Sequence, residues 1–167
     1  MGLIRKIIGQ LFGNKNAPAL SAEDKMQQYE REHQQQLLDT ETALRTWLPQ
    51  LLKEKGELAV SWECGGDEAI ITFEDGRNSG LKEAFDDLED YLYHKLELPS
   101  AGEFQMNGGG HVYMKDDAVK VKYSSVYTEL LDYNAELEKE IYGEEEEMPD
   151  YSGDVVLFRI SPVSDPG

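Results

Sequence analysis

The lone cysteine, Cys64, has the most nucleophilic side chain in this sequence. It lies beside two glycines, and His94 or His111 would be available as the base for a cysteine nucleophile. Reactive cysteines need positive surroundings, because these lower the pKa of the thiol. The charged residues nearest to Cys64 are acidic instead: Glu63, Asp67 and Glu68. The pattern therefore favours an ordinary thiol in a β-turn, and an enzyme that uses Cys64 is the least favoured hypothesis.

The histidines and carboxylates do not show the spacing of a metal site. Neither H-x-x-x-H nor H-E-x-x-H occurs around the three histidines: His33, His94 and His111. The acidic segments 75–80 and 150–154 lack the D-x-[DN]-x-[DN]-G pattern of a calcium loop and its distal glutamate. We therefore expect no metal and no cofactor.

Two glycine-rich segments, Gly65-Gly66 and Gly108-Gly109-Gly110, are candidates for phosphate-binding loops. Neither contains G-x-G-x-x-G or the lysine of a P-loop, and neither clearly opens a helix. The triple glycine is more typical of a flexible loop, or of a turn that needs positive φ. No catalytic residue is predicted.

The charge of the chain narrows the function classes further. It has 34 acidic and 16 basic residues, a net charge of −18 at pH 7. Such a surface repels nucleic acids and attracts basic proteins. The sequence therefore favours a non-enzymatic binding protein, such as an inhibitor, an immunity-type antidote or an adaptor, that covers a basic protein partner. A nuclease-like toxin, whose own substrate is a polyanion, is one example of such a partner.

Tyrosines are concentrated among the acidic residues of the second half of the chain. Six of the nine lie between residues 113 and 151: Tyr113, Tyr123, Tyr127, Tyr133, Tyr142 and Tyr151. Tyrosine rings supply contact area and carboxylates supply electrostatic steering at protein interfaces. The alternative is that these rings line the core, and the glutamate run fits a solvated loop equally well. The predicted partner-binding residues are Asp86, Asp87, Asp90, Tyr127, Tyr133, Glu144, Glu145, Glu146 and Glu147.

Residues 1–15 differ from the rest of the chain in charge. They hold three basic residues and no acid (+3), whereas residues 16–167 hold 13 basic and 34 acidic residues (−21). Their apolar side chains share one helical face: Leu3, Ile4, Ile7, Ile8, Leu11 and Phe12. So short a helix must dock on a partner groove, a membrane surface or the chain's own acidic domain. Docking elsewhere than on its own domain gives an alternative function, a peripheral adaptor tethered to a membrane or a larger assembly.

The compartment is predicted from the hydropathy of the chain. No run of eighteen apolar residues is present, and the N-terminal apolar stretch is interrupted by Arg5, Lys6 and Gln10, unlike that of a signal peptide. We expect a cytoplasmic protein, in contact with a membrane surface only if residues 1–15 dock there.

After the helix at 1–15, two further helices are predicted between residues 21 and 96. The first runs from Ser21, with Asp24 in a capping-box position, to Gly56, and Pro49 either kinks it or begins a new helix. The second follows a turn at 75–80 and is capped by Asn78 or Ser79. Its predicted inward face consists of Leu81, Phe85, Leu88, Leu92 and Leu96, and its acidic outer face of Glu83, Asp86, Asp87 and Asp90.

Alternation and turn residues predict the strands. Segments 58–62 and 69–73 form a hairpin, and segments 112–115 and 119–123 form a second one around Asp116-Asp117. Segment 99–110 is predicted to be a glycine-rich connection. One more helix is predicted after the second hairpin. Five of its residues share one helical face: Tyr127, Leu130, Asn134, Leu137 and Ile141. The apolar segment 155–160 is predicted to be a last strand, either central or covered on both faces.

Two short motifs and their order along the chain carry a resemblance to a known family. They are Glu63-Cys64-Gly65-Gly66-Asp67-Glu68 and, later, Asn107-Gly108-Gly109-Gly110. Over about residues 58–128 the chain resembles a family of small acidic bacterial α+β domains of unknown function. That family has a G-x-G-D-S-G-like turn followed by an N-D-G-x-x-G-like loop, and the chain departs from it at Cys64, Glu68 and Ala69. The resemblance implies an α+β fold and no particular activity.

These elements together predict an α+β protein. Its antiparallel sheet has four or five strands, with helices packed on one face. A single acidic domain would span residues 21–160, after the helix at 1–15 and a linker at 16–20. A frayed tail at 161–167 would follow.

Overall fold

The protein has the predicted α+β class in a computed structural model, which describes residues 21–77, 80–100 and 104–161. The elements in chain order are α1 (Ala22–Lys55), β1 (Glu57–Gly65), β2 (Glu68–Phe73), α2 (Glu74–Arg77), α3 (Lys82–Lys95), β3 (Phe104–Lys115), β4 (Ala118–Asn134), β5 (Lys139–Tyr142), β6 (Glu146–Glu147), a 3₁₀ turn (Pro149–Tyr151) and β7 (Gly153–Arg159). The predicted helix at 1–15, the linker at 16–20 and all but the first residue of the predicted tail lie outside the described residues.

The strands of the described residues form one antiparallel sheet of seven strands, rather than the predicted four or five. The order β2-β1-β3-β4 comes from consecutive antiparallel ladders. The far edge of the long strand β4 is then covered in turn by β7, β6 and β5. β4 is therefore the strand that connects the central sheet to everything that follows it.

The core lies between one face of the sheet and the helices. Alternate residues of β1 are buried, as expected for a strand with one covered face: Leu58, Val60, Trp62 and Cys64. The helices contribute Leu44, Leu48 and Leu52 from α1, and Phe85, Leu88, Tyr91 and Leu92 from α3. Phe85 joins the layers, with its ring centroid 5.5 Å from that of Trp47 and 5.6 Å from that of Phe73.

The predicted first helix is confirmed as α1. The Ser21 hydroxyl oxygen accepts a hydrogen bond from the Asp24 N–H (3.1 Å), and the Asp24 carboxylate accepts one from the Ser21 N–H (3.3 Å), which makes a capping box. Pro49 lies inside the helix, which ends at Gly56 with φ +87°.

The chain divides into two compact units between Gln36 and Leu37. In the first, the side chains of residues 21–36 are exposed apart from half-buried Gln28 and His33.

The first hairpin is confirmed, but Cys64 is not in its turn. β1 extends to Gly65, and the turn residues are Gly66 and Asp67, both with positive φ (60° and 68°). Cys64 lies inside β1, opposite Ala69 on one side and Met106 on the other. The second hairpin is also confirmed around Asp116-Asp117, both of which have positive φ (53° and 55°).

The prediction of a glycine-rich connection over 99–110 was wrong, because its last seven residues belong to β3. Gly108, Gly109 and Gly110 sit in the central strand, paired with both β1 and β4. A Cβ atom on Gly108 would overlap the Trp62 indole and the Ser125 hydroxyl. One on Gly109 would lie 2.7 Å from the Val60 carbonyl oxygen. The glycines are needed for close packing in a strand, not for a flexible loop.

The predicted helix at 127–141 was also wrong. β4 continues through this region to Asn134, and β5 pairs back on it. The Asn134 side-chain oxygen accepts hydrogen bonds from the N–H groups of Glu136 (3.1 Å) and Leu137 (3.0 Å), and Glu138 has φ +49°. This asparagine turn reverses the chain, and ladder pairing outweighs the helical spacing of the apolar residues.

The start of α3, the turn before it and the position of β7 differ from the prediction. α3 is capped by Leu81, whose exposed side chain does not face inward, while Asn78 and Ser79 lie outside the described residues. Part of the predicted turn at 75–80 forms α2. β7 is paired only with β4 among the described strands and leaves Val156 exposed, so it is neither central nor covered on both faces.

Candidate protein-binding site

A hairpin arm continues the sheet beyond the last described pair of the β3–β4 ladder. That pair is Phe104–Glu129, and among the described residues β4 beyond Glu129 is paired only with β5. We define the arm as residues 129–147, which contain the end of β4, the asparagine turn, β5 and β6. The arm therefore continues one long strand past the last described pair of the central sheet.

Almost the whole outer part of the arm is exposed. Between residues 131 and 142, every side chain except half-buried Asn134 is exposed. Five of these are large and apolar or aromatic: Leu131 (61% exposed), Tyr133 (55%), Leu137 (65%), Ile141 (42%) and Tyr142 (37%). Large hydrophobic groups concentrated in one exposed segment mark an interaction surface better than the same groups scattered singly.

The arm is also strongly acidic. It contains nine acidic residues and one basic residue, Lys139, for a net charge of −8. The acids are Glu129, Asp132, Glu136, Glu138, Glu140, Glu144, Glu145, Glu146 and Glu147. Apolar and acidic side chains are therefore interspersed along the arm. The arm also carries much of the net negative charge of the chain.

Two tyrosines and a glutamate have a defined arrangement on the arm. Tyr133 is directly opposite Glu140 in the β4–β5 ladder. The Tyr142 hydroxyl donates a hydrogen bond of 2.5 Å to the Glu140 carboxylate. This hydrogen bond raises the pKa of Tyr142, because the negative carboxylate disfavours ionisation of the phenol.

The base of the arm is fixed to the core by side chains and backbone. Tyr127 packs against Phe104 with ring centroids 5.7 Å apart. Ser125 is buried, and its hydroxyl accepts a hydrogen bond from the Trp62 indole N–H (3.2 Å). Directly after the arm, the Met148 N–H donates a hydrogen bond to the Ser125 carbonyl oxygen (3.0 Å), which joins the end of the arm to β4. A rigid base therefore supports an exposed tip.

The predicted partner-binding residues fall into two surfaces. Tyr133 and the run Glu144–Glu147 are exposed on the arm, and Tyr127 is half-buried at its base. Asp86, Asp87 and Asp90 are exposed on α3, a separate element. Some desolvation of its carboxyl group raises the pKa of Asp87, and the neighbouring charges of Asp90, Asp86 and Glu83 raise it further.

The other tyrosines of the 113–151 cluster have structural contacts. Tyr123 packs on Trp62 with centroids 5.7 Å apart, and Tyr151 is packed against the core. The Tyr113 hydroxyl lies 2.8 Å from both carboxylate oxygens of Asp154. The core-lining alternative therefore holds for Tyr123 and Tyr151, whereas Tyr133 and Tyr142 are exposed and their role in an interface stays a prediction.

Sequence reasoning did not select three apolar residues of the arm, Leu131, Leu137 and Ile141. Helical spacing places Leu137 and Ile141 in a buried stripe, whereas the structure exposes both. The available signal was the β-prone run from Val119 to Thr128, which indicates a strand longer than 119–123. A longer strand followed by Asn134 would have predicted the hairpin.

The residues considered for catalysis lie on three different elements: Cys64 on β1, His94 on α3 and His111 on β3. Cys64 is 2% exposed, and burial raises the pKa of its thiol to about 11. His111 is exposed and lies 3.4 Å from the Glu57 carboxylate. Within residues 21–77, 80–100 and 104–161, no three His, Cys, Asp or Glu side chains are grouped to hold a metal ion.

Comparisons with protein-family models, with curated proteins and with solved structures find no match to this chain. The resemblance to a family of small acidic bacterial domains therefore stays a prediction. Among the described helices, none has the length and apolar character needed to cross a membrane.

Proposed function

We propose that this protein is a non-enzymatic binding protein whose arm contacts a basic protein partner. The observation that carries the proposal is the combination found between residues 131 and 142. Five large apolar or aromatic side chains are exposed there, within a segment of net charge −8 that spans residues 129–147. This surface chemistry suits an inhibitor, an immunity-type antidote or an adaptor of a basic protein.

The two components of the arm have different physical roles. Leu137 lies in the turn, Ile141 on one face of the hairpin and the two tyrosines on the other. A partner that buries them removes apolar area from water, which stabilises the complex. The carboxylates attract a positive partner over about 8–10 Å and reject a negative one. Together they favour a protein with a basic surface around an apolar depression, and they disfavour nucleic acid.

Further support for binding rather than catalysis comes from Cys64. A thiol with a pKa near 11 is protonated at neutral pH, and the side chain is buried in the sheet. The strongest candidate nucleophile in the sequence is therefore a buried, protonated thiol at neutral pH.

The proposal is tested by affinity purification from the native cell with three forms of the full-length chain. These are the wild type, the arm variant L137S/I141S and a control variant I70S/V156S. Ile70 and Val156 are also exposed hydrophobic residues, but they lie on β2 and β7. We expect wild type and control to capture the same basic protein in stoichiometric amount, and the arm variant to lose it.

Titration of the purified partner then gives the size of the effect. We expect the dissociation constant of L137S/I141S to rise at least about tenfold, which corresponds to about 1.4 kcal/mol. Because all four side chains are exposed, both variants should unfold within about 0.5 kcal/mol of wild type. A neutral or acidic partner, or an arm variant that binds as well as the control, would overturn the proposal.

Charge substitutions distinguish the arm from the acidic surface of α3. Replacing Glu144–Glu147 by glutamine removes four charges from the arm, and replacing Asp86, Asp87 and Asp90 by asparagine removes three from α3. We expect the arm substitutions to weaken binding more and to reduce its salt dependence. A larger effect from α3 would move the binding site to that helix.

A further inference from the structure

We infer that one face of the arm, formed by Tyr133, Glu140 and Tyr142, is an anchor for an arginine side chain of the partner. This inference rests on the proposed function, since it assumes a basic protein partner. It goes beyond that function because it identifies which basic side chain is recognised and where.

The ladder register places the three side chains on the same face. Residues directly opposite each other in an antiparallel pair point to the same side of the sheet, as Tyr133 and Glu140 do. Tyr142 is two residues beyond Glu140 on β5, and alternation returns it to that side. The 2.5 Å hydrogen bond from the Tyr142 hydroxyl to the Glu140 carboxylate agrees with this arrangement. The Glu140 carboxylate thus lies on the same face as the Tyr133 ring on β4 and the Tyr142 ring on β5.

The Glu140 carboxylate is not neutralised by a basic residue of the described chain. The ion pairs found among the described residues involve Arg45, Lys55, His111 and Lys120, and none of them reaches Glu140. Lys139, the one basic residue of the arm, is adjacent in β5 and therefore points to the opposite face. An exposed negative charge next to two exposed rings remains for a partner.

The combination of flat rings and a carboxylate suits guanidinium better than ammonium. Arginine stacks its planar group on an aromatic face and binds a carboxylate through two parallel N–H groups. Lysine is a compact, strongly hydrated charge and makes only the ion pair well. The hydrogen bond from Tyr142 also restrains the Glu140 carboxylate before binding, which lowers the entropy cost.

The test compares hexa-arginine and hexa-lysine peptides of equal length and charge, titrated into the full chain and followed by the NMR signals of the tyrosine rings. A cation–π contact at an exposed site is worth about 0.5–1 kcal/mol, so we expect the arginine peptide to bind about two- to fivefold more tightly. The signals of Tyr133 and Tyr142 should shift most.

Three variants assign this preference to the anchor. E140Q and Y133L should each bring the arginine peptide to the affinity of the lysine peptide. The control E136Q removes the same charge from the turn, so it should weaken both peptides equally and keep the preference.

The outcomes separate the two proposals. Equal binding of both peptides to the wild type, or a preference that survives in E140Q and Y133L, overturns the anchor and leaves the binding function standing. Failure of both peptides to bind at low salt contradicts the basic-partner proposal and the anchor together.

Discussion

The two halves of β4 have opposite environments, although they belong to one continuous strand. Residues 118–129 pair with β3, and Val119, Val121 and Ser125 are buried. Among the described residues, 130–134 have partners only in β5, and Leu131, Asp132 and Tyr133 are exposed. Within the described residues, the part of β4 with strands on both edges contributes to the core, and the part with one partner strand is exposed. The difference shows that burial here follows from neighbouring elements, not from the apolar content of the strand.

The same glycine-to-alanine change should have different effects in the two regions. At Gly108 the added Cβ overlaps the Trp62 indole and the Ser125 hydroxyl, whereas at Gly143 the nearest atom is 3.7 Å away, an ordinary contact. We expect G108A to destabilise the protein by about 1–3 kcal/mol. G143A should stay within about 0.5 kcal/mol of wild type. Urea denaturation followed by fluorescence measures both.

A G108A variant as stable as the wild type would contradict the close packing described for β3. A G143A variant as destabilised as G108A would show that the arm is packed as tightly as the core. In either case the contrast between the two halves of β4 would fail.

Burial of Cys64 predicts a smaller, pH-dependent effect in the core. The folded pKa, about 11, is above the ordinary value of 9.0, so the unfolded chain loses this proton first. The thiol therefore stabilises the folded state fully below about pH 9, and this contribution is lost as the pH rises towards 11. The fall in unfolding free energy over this range should be smaller for C64A than for wild type, measured by urea denaturation at each pH. An identical fall in both proteins would show that the thiol is not buried in the way described.

The parts of the fold that were predictable from sequence depend on local signals. Ser21 and Asp24 mark the start of α1, Gly56 ends it, and Asp116-Asp117 supplies the positive φ values of a tight hairpin turn. Such signals act within a few residues, so they can be read directly. The acidic outer face of α3 followed from helical spacing in the same way.

The parts that were not predictable depend on distant contacts. Gly108 and Gly110 look like loop residues, and only the approach of Trp62 and of the Lys122 backbone explains glycine at those two positions. The stripe from Tyr127 to Ile141 fits helical spacing, yet the chain pairs as strands around the Asn134 turn. Of the candidate site, Tyr133 and Glu144–Glu147 could be selected from composition. The exposure of Leu137 and Ile141 required the register of β4 and β5.

Amide hydrogen exchange along β4, measured with and without the purified basic partner, tests the central claim most directly. In the free protein, residues 118–128 should exchange slowly and residues 130–134 quickly, since only the first group lies in the core sheet. Addition of the partner should slow exchange over residues 131–142 and leave residues 118–128 unchanged. Protection confined to other elements, with the exchange of the arm unaltered in the complex, would contradict the account.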